Sequence, residues 1–194
     1  ESPSNPCLEI IDIKQVCLLA KKNKITSVVD NIFASPILQQ PVKFGADVII
    51  YSGTKHIDGQ GRAMGGAVCS SKKFKEDILK PFLRHTGPCI SPFNAWVLLK
   101  SLETIKIRVY AQSESALQIA KELEKHKNVE KVYYPFLKLF PQYALAKKQQ
   151  DKGGTMVTFK IKGKQKEAIK FINKLKIFDI SNNLGDTKSL VTHP

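Results

Sequence analysis

Two kinds of hydrophobic pattern alternate along the chain. Short apolar runs bounded by turn residues predict buried strands, and longer stretches with apolar residues three and four apart predict helices. The predicted strands cover residues 25–29, 46–51, 65–69, 129–134 and 155–161. The predicted helices cover residues 36–44, 72–83, 142–149 and 165–175, with a long helix or helix pair from Ser91 towards His126. Such alternation is typical of an α/β protein with a mostly parallel sheet.

The elements predicted after Asn128 form a second and smaller α/β unit. We therefore predict a domain boundary there, with residues 1–127 in a large domain and residues 128–194 at the start of a small one. The long helix or helix pair ahead of the boundary would bridge the two bodies.

The composition is that of an ordinary globular chain, since 42% of its 194 residues are hydrophobic and 25% are charged. The longest apolar runs, such as residues 48–51, are far shorter than the roughly 20 residues that a membrane-spanning helix needs. The four cysteines form no CxxC pair and have no metal-ligand spacing with a histidine, which predicts a reducing compartment and no metal site. We therefore expect a soluble cytoplasmic protein. We also expect a fragment of a longer protein, because the chain begins at Glu1 rather than at Met and ends at Pro194.

The charge is strongly positive, with 31 lysines and arginines against 17 acidic residues and a net charge of +14. A balance of this kind suits a nucleic-acid or anionic-membrane partner. Only Arg62, Arg84 and Arg108 are arginines, however, and no basic run is interleaved with aromatic residues that could stack on bases. The excess is spread along the whole chain as lysines that water can solvate. We therefore predict neither a nucleic-acid partner nor a membrane partner.

The residues that carry chemistry begin where the predicted strand 46–51 ends. Ser52, Thr54 and Lys55 follow it directly. If the backbone stays extended, Ser52 and Thr54 lie on one face and can converge on an anion, for which phosphate is the natural candidate. A lysine at the carboxyl end of a sheet, beside apolar groups, is favoured as the neutral amine that forms an imine. The alternative, from the residues alone, is an ordinary surface turn with a solvated lysine.

A carboxylate ends the preceding predicted strand. In a parallel sheet, Asp30 would open with Lys55 into one crevice at the carboxyl edge. An acid, an amine and two hydroxyls are the minimum set for pyridoxal phosphate, because they serve its ring nitrogen, its aldehyde and its phosphate respectively. Asp30 taken alone could equally cap a turn.

Four segments of the chain are distinctive in their order and spacing. They are ESPSNP at 1–6, VVDNIFASP at 28–36, YSGTKHIDG at 51–59 and SLVTHP at 189–194. Together they resemble the pyridoxal-phosphate-dependent trans-sulfuration enzymes of cysteine and methionine metabolism, and the resemblance runs from end to end. It implies a fold-type-I, aspartate-aminotransferase-like α/β fold, with most of the large cofactor domain and the start of the small C-terminal domain.

The resemblance also implies roles for individual residues. It makes Lys55 the lysine that binds the cofactor covalently and moves protons, and Asp30 the partner of the ring nitrogen. It makes Ser52 and Thr54 phosphate ligands, and Asn5 a cofactor contact near the ring oxygen. The implied cofactor is pyridoxal 5'-phosphate, and the implied partners are a small amino-acid substrate and further copies of the same chain, in a homotetramer.

One position departs from the family pattern and bears on the reaction. Many relatives have a serine that helps to hold the substrate carboxylate where this chain has Asn183, so Asn183 is a substrate-binding candidate. This departure, with DGQGRAMGG at 58–66 and SNNLGD at 181–186, favours the O-succinylhomoserine sulfhydrylase branch. The implied reaction is γ-replacement, in which an O-acylhomoserine and sulfide give homocysteine for methionine biosynthesis.

Several alternatives to that reaction stay open. Within the family they are cystathionine γ-synthase and γ-lyase activity. Outside it they are an imine-forming aldolase without cofactor and a basic binding module without catalysis. Because the family's remaining cofactor and substrate ligands are expected outside residues 1–194, we also expect the isolated chain to be inactive.

Overall fold

The structure is a computed structural model that describes residues 1–194. Its first sheet has three strands in the spatial order β1 (Val28–Asp30), β2 (Val48–Ser52) and β3 (Gly66–Ser70). β1 and β2 are parallel, whereas β3 is antiparallel to β2. The predicted α/β class is confirmed, and the part of the sheet in this chain has one parallel and one antiparallel strand pair. The connection from β2 to β3 contains one π-helical turn and no crossover helix, so the chain returns alongside its neighbour.

A helix that the pattern analysis did not predict, α1 (Ile13–Lys22), packs on this sheet. The Asp12 side chain caps it, and it buries Cys17 against Ala46 and Ile49. Ile13 is buried as well, but three other apolar residues of the helix are exposed, which obscures the buried face in the sequence pattern. The exposed ones are Val16, Leu18 and Leu19.

The link between β1 and β2 was predicted as one helix over residues 36–44. It is two short pieces, α2 (Ser35–Leu38) and a 3-10 turn (Pro41–Phe44). The break falls before Pro41, which has no N–H to continue a helical ladder. Gly45 ends the link in the left-handed conformation, with φ of +94°, as the sequence predicts.

A helical layer follows β3. The elements are α3 (Lys72–Phe74), a π-helical segment (Lys75–Leu79), α4 (Lys80–Thr86), α5 (Pro92–Leu102) and α6 (Ile105–Lys125). The first three form one continuous helix, and α5 and α6 are the predicted helix pair, with the Ser91 side chain capping α5. Ile105 and Val109 of α6 pack against Ala34 and Leu38, which joins this layer to the link between β1 and β2.

The remaining elements are β4 (Val129–Tyr133), α7 (Tyr143–Gln149), β5 (Thr158–Ile161), α8 (Gln165–Ile172), β6 (Asp179–Ile180) and β7 (Leu190–Val191). β4 pairs antiparallel with β5, and β6 pairs parallel with β7. The largest apolar cluster joins Ala116 and Ala120 of α6 to Tyr134 and Phe140. None of the helices combines the length and hydropathy that crossing a membrane requires. The division at 127/128 stays a prediction.

Candidate functional site

The carboxyl ends of β1 and β2 lie side by side, because the two strands are parallel neighbours with Asp30 opposite Ile50. Asp30 ends β1, and Ser52 ends β2 just beyond that register pair. One carboxylate oxygen of Asp30 accepts a hydrogen bond from the backbone N–H of Ile32 at 3.1 Å, so this residue does cap the turn. The other oxygen has no hydrogen bond within the chain and remains available to a ligand.

The chain leaves β2 through a π-helical turn, Gly53–Ile57, which we call the lysine turn because Lys55 lies at its centre. The Gly53 N–H donates to the Gly65 carbonyl at 2.7 Å. A Cβ at Gly53 would lie 2.9 Å from Leu98 Cδ1 and 3.1 Å from the Gly65 carbonyl, so a side chain at the start of the turn would crowd both neighbours. The Lys55 backbone, with φ of −92° and ψ of −122°, departs from helical geometry within the turn.

The two hydroxyls after β2 differ in their partners. Thr54 Oγ1 accepts from the Gly65 N–H at 3.3 Å, whereas the Ser52 hydroxyl has no hydrogen bond within the chain. The extended backbone that would place both on one strand face ends at Gly53, where the chain turns. Both side chains are nevertheless half-buried at the end of β2, and each hydroxyl retains a proton to donate to an anion.

The predicted substrate residue meets the predicted cofactor lysine. Lys55 Nζ donates to Asn183 Oδ1 at 3.4 Å, across 128 positions of sequence. Two backbone contacts dock the segment 181–187 on the lysine turn and the residues after it. The Thr187 N–H donates to the Gly59 carbonyl at 2.9 Å, and Gly185, with φ of +82°, lies so close to His56 that a Cβ would come within 2.7 Å of its backbone nitrogen.

His56 ties the lysine turn to two other segments. It is 2% exposed, with Nδ1 3.0 Å from the Ile32 carbonyl and Nε2 2.8 Å from Thr155 Oγ1. Burial lowers its pKa to about 4, and the positive charge of Arg108 also lowers it. The ring is therefore neutral at pH 7, with Nδ1–H donating to the carbonyl and Nε2 accepting from the threonine hydroxyl. Its contacts give it a supporting role beside Lys55.

Of the N-terminal segment 1–6, only the first two residues approach the predicted site. The Ser2 N–H donates to the Asp30 carbonyl at 3.3 Å, and burial together with the charge of Asp30 raises the pKa of the Glu1 carboxyl. Asn5, by contrast, is exposed and makes no hydrogen bond to the other predicted site residues. The structure thus gathers at the neighbouring strand ends, or in contact with the lysine turn, Asp30, Ser52, Thr54, Lys55 and Asn183.

A buried amide beside Asp30 was not singled out from the sequence. Asn31 is fully buried, and the two N–H groups of its Nδ2 have three acceptors within reach, the carbonyls of Ser35 and Gln39 and the Tyr51 hydroxyl, at 2.9–3.1 Å. Its Oδ1 accepts from Gln39 Nε2 at 2.8 Å. This network fixes the loop after β1 against β2, and so fixes the spacing of the two strand ends. An amide directly after a buried strand was the signal that could have indicated it.

The donor set at the strand ends fits pyridoxal phosphate. A free carboxylate oxygen suits the protonated ring nitrogen, the unpartnered Ser52 hydroxyl and the Thr54 hydroxyl suit a phosphate, and Lys55 has only one long contact to give up. The groups converge from the ends of adjacent parallel strands, where α/β proteins bind ligands. The structure has no group of three or more His, Cys, Asp or Glu side chains placed to hold a metal ion.

Comparisons with known proteins agree with this geometry. Residues 1–194 match the family model described as Cys/Met metabolism PLP-dependent enzyme. The chain is 50% identical to O-succinylhomoserine sulfhydrylase of Mycobacterium tuberculosis and 47% identical to that of Pseudomonas aeruginosa, over 100% of its own length and 49% and 48% of theirs. It is also similar to the crystal structure of cystathionine gamma synthase from Xanthomonas oryzae pv. oryzae in complex with aminoacrylate and cysteine, with a TM-score of 0.96, 38% identity, and coverage of 100% of this chain and 50% of that one.

The chain therefore spans about half the length of the relatives that it matches. The similarity covers every residue, and the solved structure confirms the fold-type-I α/β prediction. The chain belongs to the family of pyridoxal-phosphate-dependent enzymes of cysteine and methionine metabolism.

Proposed function

We propose that the full-length protein containing this chain catalyses γ-replacement, converting an O-acylhomoserine and sulfide to homocysteine with pyridoxal phosphate bound at Lys55. The contact of Lys55 Nζ with Asn183 Oδ1 at 3.4 Å carries the proposal, because it joins the cofactor lysine to the residue that departs from the family pattern. The 50% identity to an O-succinylhomoserine sulfhydrylase over the whole chain supports it.

Asp30, Ser52 and Thr54 would hold the cofactor from two strand ends. The free carboxylate oxygen of Asp30 accepts a hydrogen bond from the ring nitrogen and favours its protonated form. The two hydroxyls donate to phosphate oxygens. Pyridoxal phosphate, when bound, supplies an electron sink for the carbon skeleton of the substrate.

Lys55 moves protons in this proposal. Its amine takes the proton from the α carbon of the substrate and then transfers protons at the β carbon. The bond between the γ carbon and the acyl oxygen breaks, a bond between the γ carbon and sulfur forms, and a carboxylic acid leaves, so no external oxidant or reductant is needed. Asn183 orients the lysine amine, and its own amide is held by donation from Nδ2 to Asp186 Oδ2 at 3.3 Å.

Two activities of the same family are the nearest alternatives. Cystathionine γ-synthase would use cysteine in place of sulfide at the γ carbon, and a γ-lyase would eliminate without adding a sulfur donor. A cofactor-free aldolase would also use Lys55, but it has no use for the hydroxyls and the strand-end carboxylate. A basic binding module would use none of these groups.

The proposed reaction is tested by assaying the full-length protein with succinyl and acetyl esters of homoserine, each with sulfide, with cysteine or with no sulfur donor. We expect homocysteine from sulfide to exceed cystathionine from cysteine with at least one ester. The Lys55→Ala variant is the control for non-enzymatic product. Dominant cystathionine formation, or release of an α-keto acid without a sulfur donor, would favour the family alternatives, and no product with any pair would refute the proposal.

We further propose that the full-length protein is a cytoplasmic homotetramer that acts on small amino-acid substrates. Membership of the amino-acid-metabolising family supports the substrate class. Light scattering on the full-length protein should give the mass of four chains. A monomer at assay concentration would contradict the proposed assembly.

A further inference from the structure

Arg108 of α6 contacts the lysine turn from outside the predicted site. Its Nη1 donates to the His56 carbonyl at 2.9 Å, and its Nη2 donates to the Ile57 carbonyl at 3.2 Å. Nη2 also donates to the Ser101 carbonyl at 3.0 Å, and Nε donates to Thr104 Oγ1 at 3.1 Å. One half-buried guanidinium therefore ties the backbone directly after the lysine to the junction between α5 and α6.

These contacts lie where the backbone lacks regular partners. The Lys55 backbone departs from helical dihedrals, so the carbonyls that follow it need donors from elsewhere in the protein. A guanidinium offers five N–H groups in a rigid planar fork and can bind several carbonyls at once. A lysine ammonium at position 108 would keep the charge but not the fork.

The chain also makes room for the guanidinium. Gly59 has φ of +70°, and a Cβ there would overlap Nη1 of Arg108. The Gly59 N–H donates to the Lys55 carbonyl at 2.7 Å, so this glycine closes the lysine turn on the side where Arg108 binds. The hydrogen bonds of Arg108 and the absence of a side chain at Gly59 thus both favour binding of the guanidinium against the lysine turn.

We propose that Arg108 is a positioning residue for Lys55, which holds the lysine turn, through the carbonyls of His56 and Ile57, in the conformation that directs the amine to Asn183. The inference rests on the proposed function, because it concerns the lysine that binds the cofactor. Arg108 itself touches neither Lys55 Nζ nor Asn183.

The test uses the full-length protein and follows Lys55 directly. Cofactor-free protein is mixed with pyridoxal phosphate, samples are reduced with borohydride over time, and peptide mapping gives the rate at which Lys55 is modified. The pH midpoint of the visible absorption of the lysine-bound cofactor and the melting temperature are measured on the same samples. The variants are Arg108→Lys and Gly59→Ala. Their matched controls are Arg84→Lys, at an exposed arginine, and Gly87→Ala, at a glycine with φ of +82° and open space around it.

We expect both variants to slow modification of Lys55 by about tenfold or more and to shift the pH midpoint, because displacement of a reacting group by about 1 Å costs roughly a hundredfold in rate. Both controls should stay close to wild type. If Arg108→Lys lowers only the melting temperature, with the wild-type rate and midpoint, Arg108 is merely structural and the inference is wrong. If Arg108→Lys does not fold, equal rates for Gly59→Ala and Gly87→Ala overturn it. If the wild type carries no cofactor on Lys55, the proposed function fails, and the inference fails with it.

Discussion

Acidification should destabilise the protein through His56, by an amount that follows from the burial of the ring. His56 is 2% exposed between the Ile32 carbonyl and the Thr155 hydroxyl, and burial lowers its pKa from 6.5 to about 4. Between these values the unfolded chain binds the proton and the folded chain does not, so the free energy of unfolding falls as the pH falls. The whole shift corresponds to about 3 kcal/mol, of which about 2 kcal/mol is lost between pH 7 and pH 5.

Urea unfolding of the cofactor-free full-length protein, followed by circular dichroism at pH 7 and pH 5, checks this magnitude. His56→Gln cannot take up the proton, so it should lose about 2 kcal/mol less than wild type between the two pH values. His85→Gln changes an exposed histidine on α4 and should keep the wild-type loss. Equal losses in wild type and His56→Gln would show that the burial of His56 does not cause the pH dependence, whatever the stability of the variant at pH 7.

Three further substitutions test other parts of the structure. Asp30→Asn should leave the cofactor on Lys55 but lower kcat by an order of tenfold or more, because an amide does not favour a protonated ring nitrogen, with exposed Asp77→Asn as control. Arg62→Leu should lower the free energy of unfolding by about 2 kcal/mol relative to Arg84→Leu. The reason is that it removes the ion pair of Arg62 Nε with Asp58 Oδ1 at 3.1 Å and leaves the fully buried Asp58 carboxylate without it. Tyr134→Phe should lower the free energy of unfolding by about 1 kcal/mol more than Tyr143→Phe, because it removes a buried hydroxyl whose single proton is donated to the Gly154 carbonyl at 2.9 Å, with the Ser113 carbonyl at 3.1 Å as a second acceptor within reach.

Much of the sheet edge could be predicted because its signals are local. An apolar run bounded by turn residues indicates β2, and the residues that follow a strand must lie at its carboxyl end. The positions of Asp30, Ser52 and Lys55 at neighbouring strand ends therefore follow from sequence order once β1 and β2 are parallel. The order and spacing of the four family segments indicated pyridoxal phosphate as the cofactor.

The rest depends on contacts between distant residues, which no local pattern encodes. The sequence left open whether the backbone stays extended through Thr54, and close packing of Gly53 against Leu98 and Gly65 accompanies a turn there. The environment of His56 is built by residues 24 and 99 positions away. α1 was missed because half of its apolar residues face outward, and the direction of β3 was missed because the length of a connection does not say whether it crosses over.

The central claim is that Lys55 binds pyridoxal phosphate, and one measurement tests it directly. The cofactor-loaded full-length protein is reduced with borohydride, digested, and mapped by mass spectrometry. We expect one pyridoxyl group, on the peptide that contains Lys55, and no specific modification in the Lys55→Ala variant. A pyridoxyl group on any other lysine of the loaded wild-type protein, or on none, would contradict it.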